Sequence, residues 1–222
     1  MKTLLSWSTG KDSAWALHLL RQRSDVHVVG LVTTINTEFG RVAMHGVRRR
    51  LVEAQADAAG LPLQLLPIPN PCSNADYEAI MAAFVARQVA EGVEAMAFGD
   101  LFLEDIRRYR EAKLAETGLT PLFPVWGANT ATLAREMIAA GVIAHVVCLD
   151  PRKLPEGLAG RRFDQALLDA LPADVDPCAE HGEFHTFASA GPMFRRAIPV
   201  VVGETVTRDG FVFCDLDVAA GA

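Results

Sequence analysis

A short segment near the N-terminus carries the residue types that bind phosphate groups. It reads S-T-G-K-D-S at residues 8–13 and lies between a predicted strand and a predicted helix. The backbone N–H groups of such a turn and the dipole of the following helix attract anions. Gly10 lets the backbone approach an anion closely, and Lys11 and the serine hydroxyls add a positive charge and hydrogen-bond donors. The segment therefore predicts a phosphate-binding loop.

Two common phosphate-binding motifs are excluded by the residues of this loop and its surroundings. A Walker A motif requires glycine at position 5 and a hydroxyl residue after the lysine, where this chain has Leu5 and Asp12. A dinucleotide-binding G-x-G-x-x-G motif would require glycine at positions 8, 10 and 13, and only Gly10 satisfies it. The loop therefore represents another class of phosphate site.

Three further segments combine glycine with ionisable residues. M-H-G-V-R at residues 44–48 follows the second predicted strand, and G-D-L-F-L-E-D-I-R at 99–107 follows the fourth. D-P-C-A-E-H-G-E-F-H-T-F occupies residues 176–187 of the C-terminal part, and G-P-M-F follows at 191–194. Carboxylates and imidazoles of this kind can bind cations and transfer protons.

The four segments together resemble a known enzyme family. The loop at residues 8–13 resembles the pyrophosphate-binding loop of the N-type ATP pyrophosphatases, usually S-G-G-K-D-S, with Thr9 in place of the first glycine. With the other segments, the chain resembles the diphthine–ammonia ligase family over nearly its whole length, and especially its short bacterial-type members. A departure is Ala179, where relatives usually carry glycine.

The resemblance implies a reaction class more firmly than it implies a substrate. Diphthine–ammonia ligases cleave ATP between the α and β phosphates, adenylate a carboxylate and let ammonia displace AMP. ATP, Mg²⁺ and ammonia are the implied cofactors and co-substrates. The acceptor carboxylate is left open, protein-borne or small, because family members also occur where diphthamide is absent.

The resemblance also implies roles for particular residues. The implied nucleotide-binding residues are Ser8, Thr9, Gly10, Lys11, Asp12, Ser13, Thr34, His45, Gly99 and Asp100. The implied catalytic residues are Lys11, Asp12, Glu183 and His185, and the implied acceptor or ammonia residues are Glu180, Glu183, His185, Thr186 and Arg107. Asp12 is the candidate ligand for Mg²⁺, through a water molecule.

Two alternative functions stay open. A tRNA-modifying ATP pyrophosphatase would share the loop, but many such enzymes add a basic surface or a pair of working cysteines. A net charge of −6 and four widely spaced cysteines count against that alternative. A non-catalytic adenine-nucleotide sensor could retain all of the same residues.

The hydrophobic pattern predicts the elements that position these residues. Strands predicted over 3–7, 26–34, 63–68 and 95–98 alternate with amphipathic helices, the signature of an open, mostly parallel sheet with helices on both faces. Ligands of such sheets bind at the carboxyl ends of the strands. The sequence pattern changes near Trp126, where the regular alternation of strands and helices ends. We therefore expect an ATP-binding domain over residues 1–126 and a smaller α+β acceptor-binding domain over 127–222.

Composition narrows the class of protein further. The chain has 222 residues, of which 50% are hydrophobic, enough to form a large core without disulfides. The longest apolar run is too short for a membrane span, and the acidic charge disfavours nucleic acid as a partner. The cysteines and the absence of a recognisable signal peptide favour a cytoplasmic protein. The oligomeric state stays open, a homodimer included.

Overall fold

The computed structural model describes residues 1–43 and 45–219. Met44, part of the motif at 44–48, and the last three residues of the predicted second domain, 220–222, lie outside the described residues. The helices and strands of the first half are β1 Lys2–Ser6, α1 Lys11–Gln22, β2 His27–Asn36, β3 Arg41–Val42, α2 Arg49–Ala59, β4 Leu63–Ile68, α3 Asn74–Ala90, β5 Ala95–Ala97, α4 Glu104–Leu114 and β6 Thr120–Leu122. The second half contains α5 Thr130–Ala139, β7 Ile143–Leu149, a 3-10 turn Glu156–Leu158, α6 Gln165–Ala170, β8 Phe184–Ala190, β9 Val200–Arg208 and β10 Phe211–Val218.

The first sheet is parallel except for one short strand. β1 lies between β2 and β5, and β4 and β6 extend the sheet on the far sides of β2 and β5. The two-residue strand β3 pairs antiparallel with the end of β2. All the parallel strands therefore end at one edge, where the loops after β1, β2, β4 and β5 come together.

Successive residues of the central strands face opposite sides of this sheet. Leu5 and Leu31 are fully buried in one core cluster with α1 and α2. Leu4 and Val32 belong to a second cluster with Phe84 of α3. Both faces of the sheet are thus covered, which explains why the strands read as continuous apolar runs.

The second sheet is antiparallel, with the strand order β8-β7-β10-β9. It packs on the α1 and α2 side, and Val146 of β7 and Phe187 of β8 belong to the same core cluster as Leu5. Ion pairs between Arg41 or Arg48 and Asp215 also join the two halves. This packing brings the start of β8 against the loop that follows β1.

The predicted fold class is confirmed by this topology. The mostly parallel sheet is flanked by helices and is followed by a separate antiparallel sheet. The sequence missed β3 and α6 because elements of two and six residues carry no readable periodicity. Among the described residues, no helix combines the length and apolarity needed to cross a bilayer.

Candidate active site

The loop after β1 holds one residue in an unfavourable backbone conformation. Thr9 has φ +74°, the left-handed region that a β-branched residue rarely adopts. Its carbonyl oxygen accepts hydrogen bonds from the side-chain Nε2 of Gln55 and from the N–H of Ala188, both at 2.9 Å. Gln55 is fully buried and also accepts a bond from Trp7 Nε1 at 2.8 Å. These bonds from α2 and β8 hold the loop in its turned shape.

Gly10 comes next, at a point where a side chain would collide with the other half of the protein. A Cβ at this position would lie 3.3 Å from both the His45 ring and the carbonyl oxygen of Thr186. Gly10 is also the N-cap of α1, with extended φ and ψ. Because glycine has no side chain, it provides no capping hydrogen bond. The first N–H groups of α1 therefore lie at a helix terminus that suits an anion.

Lys11 connects the loop to the C-terminal half. Its backbone N–H donates to Thr186 Oγ1 at 3.1 Å, and its ammonium group donates to the carbonyl oxygen of Cys178 at 2.5 Å and to Asp12 at 2.9 Å. The ammonium group also lies 5.3 Å from the ring centre of Phe163 and 5.4 Å from that of Phe184. Only 2% of the Lys11 side chain is exposed.

The charges of Lys11 and Asp12 depend on each other. Burial by itself lowers the pKa of Lys11, but the neighbouring groups Asp12, Cys178 and Asp176 together outweigh it, so the net pKa is raised and the lysine stays charged. Burial raises the pKa of Asp12, and Lys11 opposes that rise. The Oδ1 atom of Asp12 is buried and has no hydrogen-bond partner. The loop thus presents a buried cation beside a carboxylate oxygen that is free to bind another group.

A cavity of about 270 Å³, here named the loop cavity, lies between this loop and the start of β8. Eleven of the predicted site residues line it, namely Ser8, Gly10, Lys11, Asp12, Ser13, His45, Gly99, Asp100, Glu180, His185 and Thr186. The two halves of the chain therefore contribute to one site, although these residues lie up to 178 positions apart in the sequence, from residue 8 to residue 186.

Two histidines from different halves face each other in the loop cavity. The rings of His45 and His185 lie 4.5 Å apart, and His45 Nδ1 lies 3.3 Å from the carbonyl oxygen of Thr186. Burial lowers the pKa of His185 to about 4, with help from the positive charge of Lys11. Burial also holds the pKa of His45 well below its ordinary value. Both imidazoles are therefore neutral near pH 7, and a neutral imidazole can accept a proton.

A carboxylate from the second half, Glu180, also lines the loop cavity. Glu180 Oε1 accepts hydrogen bonds from the N–H groups of Leu101, at 2.7 Å, and Phe102, at 3.4 Å. Burial raises the pKa of Glu180 despite these bonds. Gly99 approaches α1 closely, since a Cβ there would lie 3.0 Å from the backbone nitrogen of Ser13. The G-D segment after β5 is thus part of the wall and requires glycine.

Four predicted site residues lie elsewhere. Glu183 is 2% exposed and does not line the loop cavity; its Oε1 accepts a long bond from Asp176 N at 3.4 Å, and its Oε2 has no partner. Arg107 pairs with Glu111 and lies over the rings of Phe123 and Trp126. Thr9 belongs to the loop but does not line the cavity, and its carbonyl oxygen is bonded to Gln55 and Ala188. Thr34 lines the neighbouring cavity.

That neighbouring cavity, here named the sheet-edge cavity, has a volume of about 450 Å³. It lies over the carboxyl ends of β1, β2 and β4 and shares Ser8, His45 and Arg110 with the loop cavity. Its walls include apolar side chains of Leu66, Ile68 and other residues. The two cavities together form one continuous cleft with a polar end and a largely apolar end.

Sequence reasoning missed Gln55, which holds the loop, and Arg110, which lines both cavities. Gln55 carries no signal because a buried glutamine in a helix resembles an exposed one until its partners are known. Arg110 forms a two-point ion pair with Asp100, in which Nη2 donates to Oδ1 at 3.0 Å. The i, i+10 spacing of this pair crosses from a strand end to a helix, so no local pattern predicts it.

Ala179 shares the unusual conformation of Thr9, and this gives a stability prediction. Its φ is +59°, so Ala179→Gly should remove about 1–2 kcal/mol of left-handed strain and lose roughly 0.4–1 kcal/mol through a more flexible unfolded chain. We expect a net gain of about 0.5–1 kcal/mol in the free energy of unfolding, measured by urea titration. The control Ala83→Gly, in the exposed middle of α3, should lose about 1 kcal/mol. Equal losses in both variants would contradict the strain at Ala179.

The fold and the cleft define an α/β protein in which a loop of the phosphate-binding type packs against an antiparallel second half. The family model described as "Diphthamide synthase N-terminal domain" matches residues 1–121, and that described as "Diphthamide synthase C-terminal domain" matches residues 129–219. The chain therefore belongs to the diphthine–ammonia ligase family, also described as the diphthamide synthase family, as its motifs predict.

Curated relatives support this membership. The chain is 27% identical over 183 residues to the diphthine–ammonia ligase of Bos taurus, covering 75% of this chain and 68% of the relative. It is 24% identical over 230 residues to that of Rattus norvegicus, covering 93% and 85%. A solved structure described as a predicted subunit of tRNA methyltransferase from Methanocaldococcus jannaschii superposes with a TM-score of 0.41 at 16% identity, covering 66% of this chain and 78% of the other. A likeness of that degree carries no inference about function.

Proposed function

We propose that this protein is an ATP-dependent ligase that adenylates an acceptor carboxylate, releases pyrophosphate and forms an amide with ammonia. The observation that carries the proposal is the shared loop cavity, in which the phosphate-type loop of the first half faces His185 and Thr186 of the second. The family membership and the names of the relatives support the ligase class. The diphthine of those names belongs to the relatives; for this chain we propose only a carboxylate acceptor.

In this proposal the phosphates of ATP occupy the loop cavity. The N–H groups at the start of α1 and the hydroxyls of Ser8 and Ser13, which lie 3.0 Å apart, would donate to phosphate oxygens. Lys11 places a fixed positive charge beside them, where it stabilises the negative charge of departing pyrophosphate. The helix terminus and the Lys11 charge are already in place, whereas the two serine hydroxyls would rotate from their present partners, Ser13 Oγ and the carbonyl oxygen of Gly10, toward phosphate.

Adenosine would occupy the sheet-edge cavity. Its apolar side chains suit the faces of a purine ring, and Thr34 offers a hydroxyl at the strand end. The position agrees with the rule that open α/β sheets bind ligands at the carboxyl ends of their strands. The α phosphate would then lie where the two cavities meet.

One side chain of the loop cavity, that of Asp12, fits a magnesium ion. No group of three or more His, Cys, Asp and Glu side chains with metal-binding geometry exists within residues 1–43 and 45–219. Mg²⁺ nevertheless binds commonly through one or two carboxylates together with phosphate oxygens, and the unpartnered Oδ1 of Asp12 is such a ligand. When bound, the ion would neutralise phosphate charge, and Asp12 would hold it directly or through water.

The chemistry follows in two balanced steps. An oxygen of the acceptor carboxylate bonds to the α phosphorus, the bond from that phosphorus to the bridging oxygen breaks, and pyrophosphate leaves. Ammonia then bonds to the acyl carbon, AMP leaves with the bonding electrons, and the new amide loses one proton. His185, neutral and in the loop cavity, is the proposed proton acceptor, and Glu180, which lines the same cavity, is the proposed counter-charge for ammonium.

A product assay tests this proposal. ATP labelled at the α or γ phosphate is incubated with protein, ammonium chloride and a panel of carboxylic acids, and products are separated by chromatography. We expect AMP and pyrophosphate, formed only when an acceptor is present. Formation of ADP and phosphate would exclude cleavage between the α and β phosphates, and failure of ATP to bind would exclude the nucleotide site.

A further inference from the structure

A third concavity opens beside the cleft, between α3 and α4. This α3–α4 groove has a volume of about 490 Å³, within the roughly 300–1,000 Å³ typical of small-molecule sites. Apolar side chains form most of its walls, including Ala82, Val85 and Leu114. Val89 and Tyr109 line it while remaining 36% and 42% exposed.

The groove shares wall residues with the cleft. Tyr77, Met81 and Met96 line both the groove and the sheet-edge cavity. Arg110 is common to the walls of the groove, the sheet-edge cavity and the loop cavity, and the region around it is here named the junction.

The guanidinium of Arg110 keeps a donor for a ligand. It lies 4.4 Å from the ring centre of Phe98, which fixes its plane. Asp100 accepts from Nε and Nη2, so Nη1 stays available, and the arginine is 27% exposed. At the outer end of the groove, Glu78 and Lys113 pair with each other at 2.8 Å and cancel their charges. A carboxylate in the groove would thus find its best hydrogen-bond donor at the junction.

The in-line geometry of phosphoryl transfer determines the side from which the acceptor approaches the α phosphate. The attacking and leaving oxygens lie roughly in line across the phosphorus. Because pyrophosphate would leave toward the loop cavity, the acceptor must reach the α phosphate from another side of the junction. The groove is an opening of suitable size that ends there.

We propose that the α3–α4 groove is the acceptor site and that it selects a small carboxylic acid with an apolar or aromatic body. The apolar body lies between α3 and α4, and the carboxylate accepts a hydrogen bond from Arg110 Nη1 beside the α phosphate. This assignment rests on the proposed function, since it names the substrate class of the same reaction.

The test uses 4-phenylbutyrate as the probe and methionine-methyl NMR as the readout. The protein is first saturated with α,β-methylene-ATP, and the probe is then titrated. Signals of Met81 and Met96 should shift in the wild type. Ala82→Trp fills the groove from an exposed position of α3, whereas the control Ala83→Trp lies next to it on the same helix and does not line the groove. We expect Ala82→Trp to weaken probe binding at least tenfold and Ala83→Trp to leave it unchanged.

The uncharged analogue 4-phenylbutanol tests the carboxylate part of the assignment. Loss of a charge-assisted hydrogen bond should weaken its binding roughly 10- to 100-fold relative to the acid. Absence of methyl shifts with the acid, equal binding by the two tryptophan variants, or equal binding of acid and alcohol would each overturn the proposal. The nucleotide titration distinguishes failure of the groove assignment from failure of the proposed function. If α,β-methylene-ATP binds and the probe does not, only the groove assignment fails. If the nucleotide does not bind, the proposed function fails as well.

Discussion

Lys11→Ala should abolish ATP-dependent release of pyrophosphate and should also destabilise the protein. The variant loses a charge-assisted contact to phosphate, which predicts roughly 10- to 150-fold weaker ATP binding. It also leaves Asp12 and the carbonyl oxygen of Cys178 without their buried donor. Removing one partner of a buried ion pair costs on the order of 3 kcal/mol. Calorimetric ATP titration and urea denaturation measure the two effects separately.

Two further variants show which effect belongs to catalysis. Lys153→Ala is the matched control, since Lys153 is exposed and only donates a long bond to His181; it should change neither ATP affinity nor stability. The double variant Lys11→Ala/Asp12→Asn removes the unpaired negative charge and should recover part of the lost stability without recovering turnover. A Lys11→Ala protein with normal ATP affinity and turnover would remove Lys11 from the site.

The two departures identified within the family's motifs have the same physical character. Thr9 and Ala179 replace glycine, and both have positive φ. The usual glycines therefore reflect a left-handed backbone, which the fold imposes here on residues that disfavour it. The sequence identified both positions as departures, but backbone strain becomes visible only in the structure. Bonds from Gln55 and Ala188 show how the strain at Thr9 is sustained.

The parts of the site that could be predicted are those encoded by local chemistry. The loop at residues 8–13 follows a strand and opens a helix, and both signals are short-range. The same holds for Gly99-Asp100 after β5. The different positions of His185 and Glu183 could not be predicted in this way. His185 is the second residue of β8, which begins at Phe184, whereas Glu183 precedes the strand and its side chain lies against Asp176. The start of β8 is set by its pairing with β7, where Phe184 lies opposite Leu149, and that register depends on distant contacts.

Arg107 shows a related difficulty. Its position early in the helix after Gly99-Asp100 suggested a site role, yet one turn of the helix separates it from Arg110, which does line the cleft. Arg107 instead packs over Phe123 and Trp126 at 4.9 and 4.8 Å from their ring centres. The direction of a helix relative to the sheet edge selects between arginines three residues apart, and tertiary packing sets that direction.

The geometry distinguishes His185 from Glu183 as the proton acceptor, and paired substitutions test the difference. His185→Gln keeps a hydrogen-bonding side chain of similar size but removes the basic nitrogen, so ligation should fall roughly 10²–10⁴-fold. ATP–pyrophosphate exchange, which reports adenylation alone, should survive. Glu183→Gln should reduce ligation less than tenfold, because Glu183 lies outside the loop cavity.

The pH dependence of stability provides a readout that checks the environment of His185 in the same variants. Its pKa is about 4 in the folded protein and about 6.5 in the unfolded chain. The unfolded state therefore binds more protons between these values, so the contribution of His185 is complete above pH 6.5 and is lost as the pH falls toward 4. Urea denaturation across that range should show a shallower loss for His185→Gln than for the wild type. If Glu183→Gln abolishes ligation and His185→Gln does not, the proton acceptor has been assigned to the wrong residue of the motif.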